Sequence, residues 1–411
     1  MRLVMIYFLN TYNKSRHTFS HLLSALLLVT ITLSGCKSSS DTVTSSGQAD
    51  TASAADITKA GAEVSNNDTY EEADNTTILN NGEPFDGSVI LNDNFDGSDY
   101  IRMSELVEGS SVSNSINIYP TLSVPTDITF IDGNYYIVDC YHSQIIYNDD
   151  LTSPLTDWSV LTDNASSGYS LGHTIVSDGS VMLADDTENN RVLVFEKRSD
   201  GYTLTQIFNE IGNKPHYIVY NKDTDAFYCW SSYSGEMYIF RHKENDTRMY
   251  LTNVITIQRL SDTYVRSFTI NDGDLYFVSG LPADGSSNYA SQILKYDLYS
   301  FSRKESYNVP DNIAGMVQLE HIGDMFYITV STDIYGNQDA ATMICAPSIE
   351  DISSGNYETV YDKYFVGGGT PYYMGLINDT WYLTEHRLTD HAIWSFDTDT
   401  SGHITSSTAI Y

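Results

Sequence analysis

IDGNYYIVD (131–139), SDGSVMLAD (177–185), KDTDAFYCW (222–230), NDGDLYFVS (271–279), HIGDMFYIT (321–329) and INDTWYLTE (377–385) are six versions of one phrase. Each begins at the end of an alternating apolar run, turns over two to four Asp, Asn or Gly residues, and re-enters a strand rich in Tyr, Phe, Ile and Val. Residues of this kind supply the left-handed backbone that a tight hairpin needs, and the β-branched and aromatic residues after them suit a pleated surface. The matching turn positions 133, 179, 225, 273, 323 and 379 step by 46, 46, 48, 50 and 56 residues. A period of that length built from strands and turns predicts propeller blades.

Working outward, a third strand follows each phrase: QIIY (144–147), RVLVFE (191–196), EMYIF (236–240), QILKYD (292–297), TMICA (342–346) and AIWSFD (392–397). Segments such as YTLTQIF (202–208) and NVITIQRL (253–260) supply outer strands. An isolated sheet of this kind leaves an apolar face wet, and packing such sheets around an axis buries both faces. The predicted fold is therefore all-β, a six-bladed β-propeller over 76–411. A seventh copy hidden within 76–119 is the alternative count. Closure is expected to use a strand near GSVIL (87–91) or SINIY (115–119), together with the tail HITSSTAIY (403–411).

The chain starts differently. Its first 35 residues carry Arg2, Lys14 and Arg16, no acid, and the apolar stretch LLSALLLVTITL (22–33). A basic start, an apolar core of about a dozen residues and small residues at its end describe an export signal and are too short for a membrane span. Residues 36–75 are small, polar and acidic with little to bury, the composition of a disordered tether. The ending Leu33-Ser34-Gly35-Cys36 resembles a bacterial lipoprotein signal. That resemblance implies that Cys36 becomes the lipidated first residue, held in the membrane by acyl chains such as palmitate. Lys37, in place of Asp, implies an outer-membrane or cell-surface location in the envelope.

Across 411 residues, 54 Asp and Glu face 21 Lys and Arg, a net charge of −33. Such a chain repels nucleic acid and anionic lipid, so the membrane is expected as a partner only through the lipid anchor. Acidic runs at 92–97 and 185–190 lack the spacing and closing Glu of a calcium loop. Beyond Cys36 there are three cysteines, Cys140, Cys229 and Cys345, an odd number in non-adjacent blades and poor material for a disulfide framework. No nucleophile elbow, zincin motif, phosphate-binding glycine loop or haem attachment motif occurs.

The wording of blade 2 is the most specific in the chain: Gly172-His173, Asp178-Gly179, then Ala184-Asp185-Asp186-Thr187-Glu188-Asn189-Asn190-Arg191-Val192. It resembles the NHL-type repeat of six-bladed propellers, and blade 1 matches in part through Pro125, Asp132-Gly133, Val138-Asp139 and Gln144-Ile145. The resemblance fades in blades 4 to 6. It implies a fold and a surface often used for ligands or partners, without implying one reaction.

The residues at the start of each inner strand are expected to converge at one mouth of the channel. They include Asp127, His173, His216, Arg266 and Tyr372. The reading adopted is a surface-anchored binding module that recognises a small ligand, glycan, peptide or envelope protein there. In the first alternative the same residues form the site of a metal-dependent hydrolase or lyase. His173, His216 and Asp127 would then hold a single divalent cation, zinc, iron or calcium, and Arg266 would take a substrate carboxylate or phosphate. The second alternative is an envelope scaffold that makes its contacts through the blade rims. Asp139 and Asp185 are expected to accept backbone hydrogen bonds in the loops they begin, with His142 beside them.

Overall fold

A computed structural model describes residues 76–78, 104–107, 115–199, 201–280 and 289–411. The leader, Cys36, the tether and 87–91 lie outside the described residues. The fold is a six-bladed β-propeller: six antiparallel sheets, each with its four main strands in chain order. Blade 1 runs through Pro125–Ile131, Asn134–Asp139, Gln144–Asn148 and Ser159–Asp163. The inner strands of the other blades are Ile175–Ser177, Pro215–Asn221, Tyr264–Asn271, Gly315–Ile322 and Thr370–Ile377. Each inner strand packs against the next around the ring, and the sixth returns to the first.

The quoted phrases are the inner hairpins. Asp132 and Gly133 both have positive φ, as do Asp272 with Gly273 and Asn378 with Asp379, which is the conformation of a two-residue hairpin turn. The strands that follow are buried on both faces. In Ala226–Ser231 every residue is buried, and so is every residue of Val181–Asp186. Apolar clusters consequently lie between blades, with Trp158, Trp230 and Tyr228 among the largest fully buried side chains.

Side chains also stitch neighbouring inner strands. Asp127 accepts from Ile175 N (3.0 Å), and Thr174 Oγ1 accepts from Ile218 N (2.9 Å). Ser267 donates to Val317 O (2.6 Å), and the Gln318 amide pairs with both the carbonyl (3.0 Å) and the N–H (2.5 Å) of Met374. Thr384 donates to Thr126 O across the closing seam (3.1 Å).

Among the described residues no strand is exchanged between the first and last blades. The tail segment Ile404–Ala409 is the outer strand of blade 6 itself. The seam is held by packing of Ile377, Tyr382 and Ile393 against Ile128, Ile137 and Ile146, and by Tyr411, whose single O–H lies within reach of both Leu151 O (2.6 Å) and Ser153 O (2.7 Å). The N-terminal segment does something else. Thr76–Ile78 pairs with the outer strand of blade 3, Ser104–Leu106 with that of blade 2, and Ile116 bridges to Ser159 of blade 1. These described pieces lie on the outer edges of blades 3, 2 and 1 in turn, adding a fifth strand to two of them and pairing with edges that would otherwise be open. No seventh sheet forms among the described residues.

Candidate functional site

The start of every inner strand, and the loop between second and third strands, lie at the same end of the ring. Blade 3 shows why: Pro215 pairs with Ser231, so the loop after Ser231 returns beside the segment before Pro215, with Ser232 N on Lys214 O (2.9 Å) and Tyr233 N on Asn213 O (3.1 Å).

His173 and His216 meet at this end. Their rings stack with centroids 3.7 Å apart and planes 24° from parallel. His173 Nδ1 lies 2.9 Å from Thr187 Oγ1, and its backbone N–H donates to Asp185 (2.9 Å). His216 Nδ1 lies 2.8 Å from the Tyr373 hydroxyl and 3.1 Å from Arg266 O, while its Nε2 is 3.3 Å from the Tyr372 hydroxyl. Tyr372 stacks in turn on His386 at 4.0 Å. Side chains from blades 2, 3 and 6 thus fill the axis. His173 is 3% exposed, His216 2% and Tyr372 2%, so this end of the channel is plugged rather than open.

Of the five residues expected at the mouth, His173, His216 and Tyr372 form the plug, and Arg266 lies beside it. The Arg266 guanidinium sits over the Tyr264 ring at 4.4 Å, and Tyr264 stacks on Tyr233 at 4.8 Å. Asp127 is used differently: its carboxylate ties blade 1 to blade 2 through Ile175 N. At the same end of the ring, Tyr233, Tyr335 and Val366 are exposed on loops of blades 3, 5 and 6.

Beneath the plug, the Gln318 amide donates to the Tyr217 hydroxyl (3.0 Å) and to Glu320 (2.9 Å). Burial pushes the Glu320 carboxyl up to about 8, against the pull of Gln318 and the His321 N–H. Burial likewise pushes Asp127 up to about 7, opposed by Ile175 N–H and helped by the Asp185 charge. Both acids raise the Tyr217 hydroxyl further above its ordinary range, after burial as the main cause. Withdrawal of a carboxylate from water disfavours its charged form.

Asp139 and Asp185 do accept backbone hydrogen bonds, but from the segment that enters their own blade's inner strand. Asp139 takes Ser123 N (2.7 Å) and is 2.6 Å from His142 Nδ1; Asp185 takes His173 N and Thr174 N. Cys140, Cys229 and Cys345 are buried free thiols. Among the described residues no group of three or more His, Cys, Asp or Glu side chains is arranged to hold a metal ion. The two imidazoles that come together do so face to face.

Gln318 and Glu320 do not stand out in the sequence. A signal existed for Tyr373 and Gln318, which stand four residues before the end of their inner strands, as Asp127 does in blade 1.

No protein-family model matches the chain, and no curated protein matches its sequence. Some solved structures are similar to it at low identity. A protein from Lactobacillus plantarum is 14% identical, covering 69% of this chain and 83% of its own, with a TM-score of 0.47. The hydrazine synthase of Kuenenia stuttgartiensis is 13% identical over 71% of this chain and 80% of its own, TM-score 0.46. The periplasmic gluconolactonase of Pseudomonas aeruginosa is 11% identical over 70% and 84%, TM-score 0.44. Likeness at this level concerns the course of the chain.

Proposed function

We propose that this protein is a lipid-anchored envelope propeller that recognises an extended partner, a glycan chain or a polypeptide segment, on the plugged end of its axis. The observation that carries this reading is the convergence there of His173, His216, Tyr372 and Arg266, with Tyr233, Tyr335 and Val366 exposed on loops at the same end. A filled axis offers no deep pocket, so a ligand is read across the face. Aromatic rings with a guanidinium among them supply large contact area, stacking and charge-assisted hydrogen bonds at low conformational cost. The Leu-Ser-Gly-Cys ending and the polar tether support anchoring through Cys36, and membrane attachment then needs only the acyl chains.

The full chain in detergent, screened on glycan and envelope-peptide arrays beside Arg266→Ala and Tyr233→Ala variants, tests this reading. Binding lost in both variants supports it; binding that ignores both overturns it. Elemental analysis of the same preparation addresses the hydrolase or lyase alternative. About one zinc, iron or calcium per chain, absent from His173→Ala/His216→Ala, favours that alternative.

A further inference from the structure

At the opposite end of the ring, the junction of blades 1 and 2 holds a cleft of about 310 Å³. Tyr136, Tyr147, Leu161 and Tyr202 wall it, and Asp132 and Lys197 stand at its rim. It exists because one turn is short. In four other blades the second strand carries a tyrosine at the position of Tyr136: Tyr228, Tyr276, Tyr327 and Tyr382. Where the following blade's outer hairpin has five residues between its strands, that hairpin fills the junction. Blade 6 presses Gly402 onto blade 5, and Tyr327 donates to Gly402 O at 2.7 Å. Blade 4 packs Leu298 and Phe301 against Tyr228, whose hydroxyl donates to Thr224 (3.0 Å). In blade 2 only two residues separate Arg198 from Gly201, and the space stays open.

The consequence is a phenol hydroxyl that faces the open cleft. Tyr136 is 3% exposed, yet its hydroxyl makes no hydrogen bond to any described residue, whereas Tyr276 interacts with Lys295 and Tyr382 with Tyr135. Facing the cleft, that hydroxyl can donate to and accept from whatever occupies it. Tyr136 and Tyr147 stack at 5.4 Å, giving the cleft an aromatic wall. Its charges are internally balanced: Lys197 pairs with Asp132 at 2.8 Å, Tyr202 also donates to Asp132, and Arg198 pairs with Glu196.

We infer that this cleft binds a neutral saccharide of one or two pyranose rings. A sugar ring has an apolar C–H face for the tyrosine wall and hydroxyls that both donate and accept. Those hydroxyls match a phenol, a carboxylate and an ammonium set close together. The volume sits at the small end of ligand pockets, about 300–1,000 Å³, and balanced charge selects against an anionic sugar.

The test is titration calorimetry of the full chain in detergent with neutral mono- and disaccharides, and with uronic acids as the contrast. A neutral sugar is expected to bind, weakened roughly 3- to 10-fold by Tyr136→Phe, which removes one hydrogen bond. The rim variant Lys197→Ala, at an exposed position, is expected to weaken it comparably and guards against a folding defect in the first. Three results overturn the inference: no neutral sugar binds, uronic acids bind better, or binding survives both variants. Loss in Arg266→Ala alone would assign the sugar to the other face.

Discussion

The imidazole of His216 in blade 3 touches the phenol hydroxyl of Tyr373 in blade 6, 2.8 Å away and 157 residues further along the chain. Blades 3 and 6 lie on opposite sides of a six-membered ring, so this bond crosses the axis. Tyr373 also donates to Arg266 O of blade 4 at 3.1 Å. Three blades that share no strand are tied at one point, which makes the plug part of what holds the ring together.

Replacing His216 with Ala removes its contacts with Tyr373, Tyr372 and Arg266 O and opens a cavity in a buried site. The unfolding free energy should fall by about 2–4 kcal/mol. Urea denaturation checks this, and an effect below ~1 kcal/mol would mean that the plug is dispensable for stability.

The two channel acids set a pH dependence. Burial raises Asp127 to about 7 and Glu320 to about 8. The folded state therefore holds these protons where the unfolded chain has released them, so stability falls as pH rises from the ordinary carboxylate range to about 7 and 8. Asp127→Asn/Glu320→Gln should flatten the melting temperature between pH 5 and 8.5. A double variant as pH-sensitive as the parent would contradict this account.

Among the described residues closure uses no exchanged strand, which places weight on Tyr411. Its single O–H lies within reach of two carbonyls of blade 1, and its ring lies edge-on to Trp158 at 6.0 Å. Tyr411→Ala should cost about 1–3 kcal/mol. Its mark should be faster amide exchange along Ile393–Thr398 and Gln144–Asn148, with blades 3 and 4 unchanged.

Two glycines at positive φ separate strain from crowding. Gly179 has open space where a Cβ would stand, whereas at Gly402 that atom would fall 1.8 Å from Ile322 O. Gly179→Ala should cost about 1 kcal/mol, the penalty of left-handed backbone alone. Gly402→Ala should cost at least twice that, because the outer hairpin of blade 6 must lift off blade 5. Equal losses of thermal stability would refute the distinction.

The hairpins were legible from the sequence because their determinants are neighbours in the chain. Asp-Gly at 132–133 and 272–273 fixes a turn, and alternation on either side fixes which residues face inward. The pairing of His173 with His216 was also within reach, since both follow from counting back along a repeat. The closing strand was not legible. GSVIL, SINIY and the tail all read as strands, and only packing decides that the tail completes its own blade while Ser115–Asn117 lies along blade 1.

From sequence alone, the chain determines an all-β repeat of six hairpin units, because turn chemistry and two-residue periodicity act over a few residues at a time. Tertiary structure alone decides that the axis is plugged, that Thr76–Ile78 and Ser104–Leu106 add strands to blades 3 and 2, and that Tyr136 is left facing a cleft. Those outcomes depend on how far each side chain or turn reaches across a junction between blades. That distance is set by the closure of the whole ring, which no local stretch of sequence encodes.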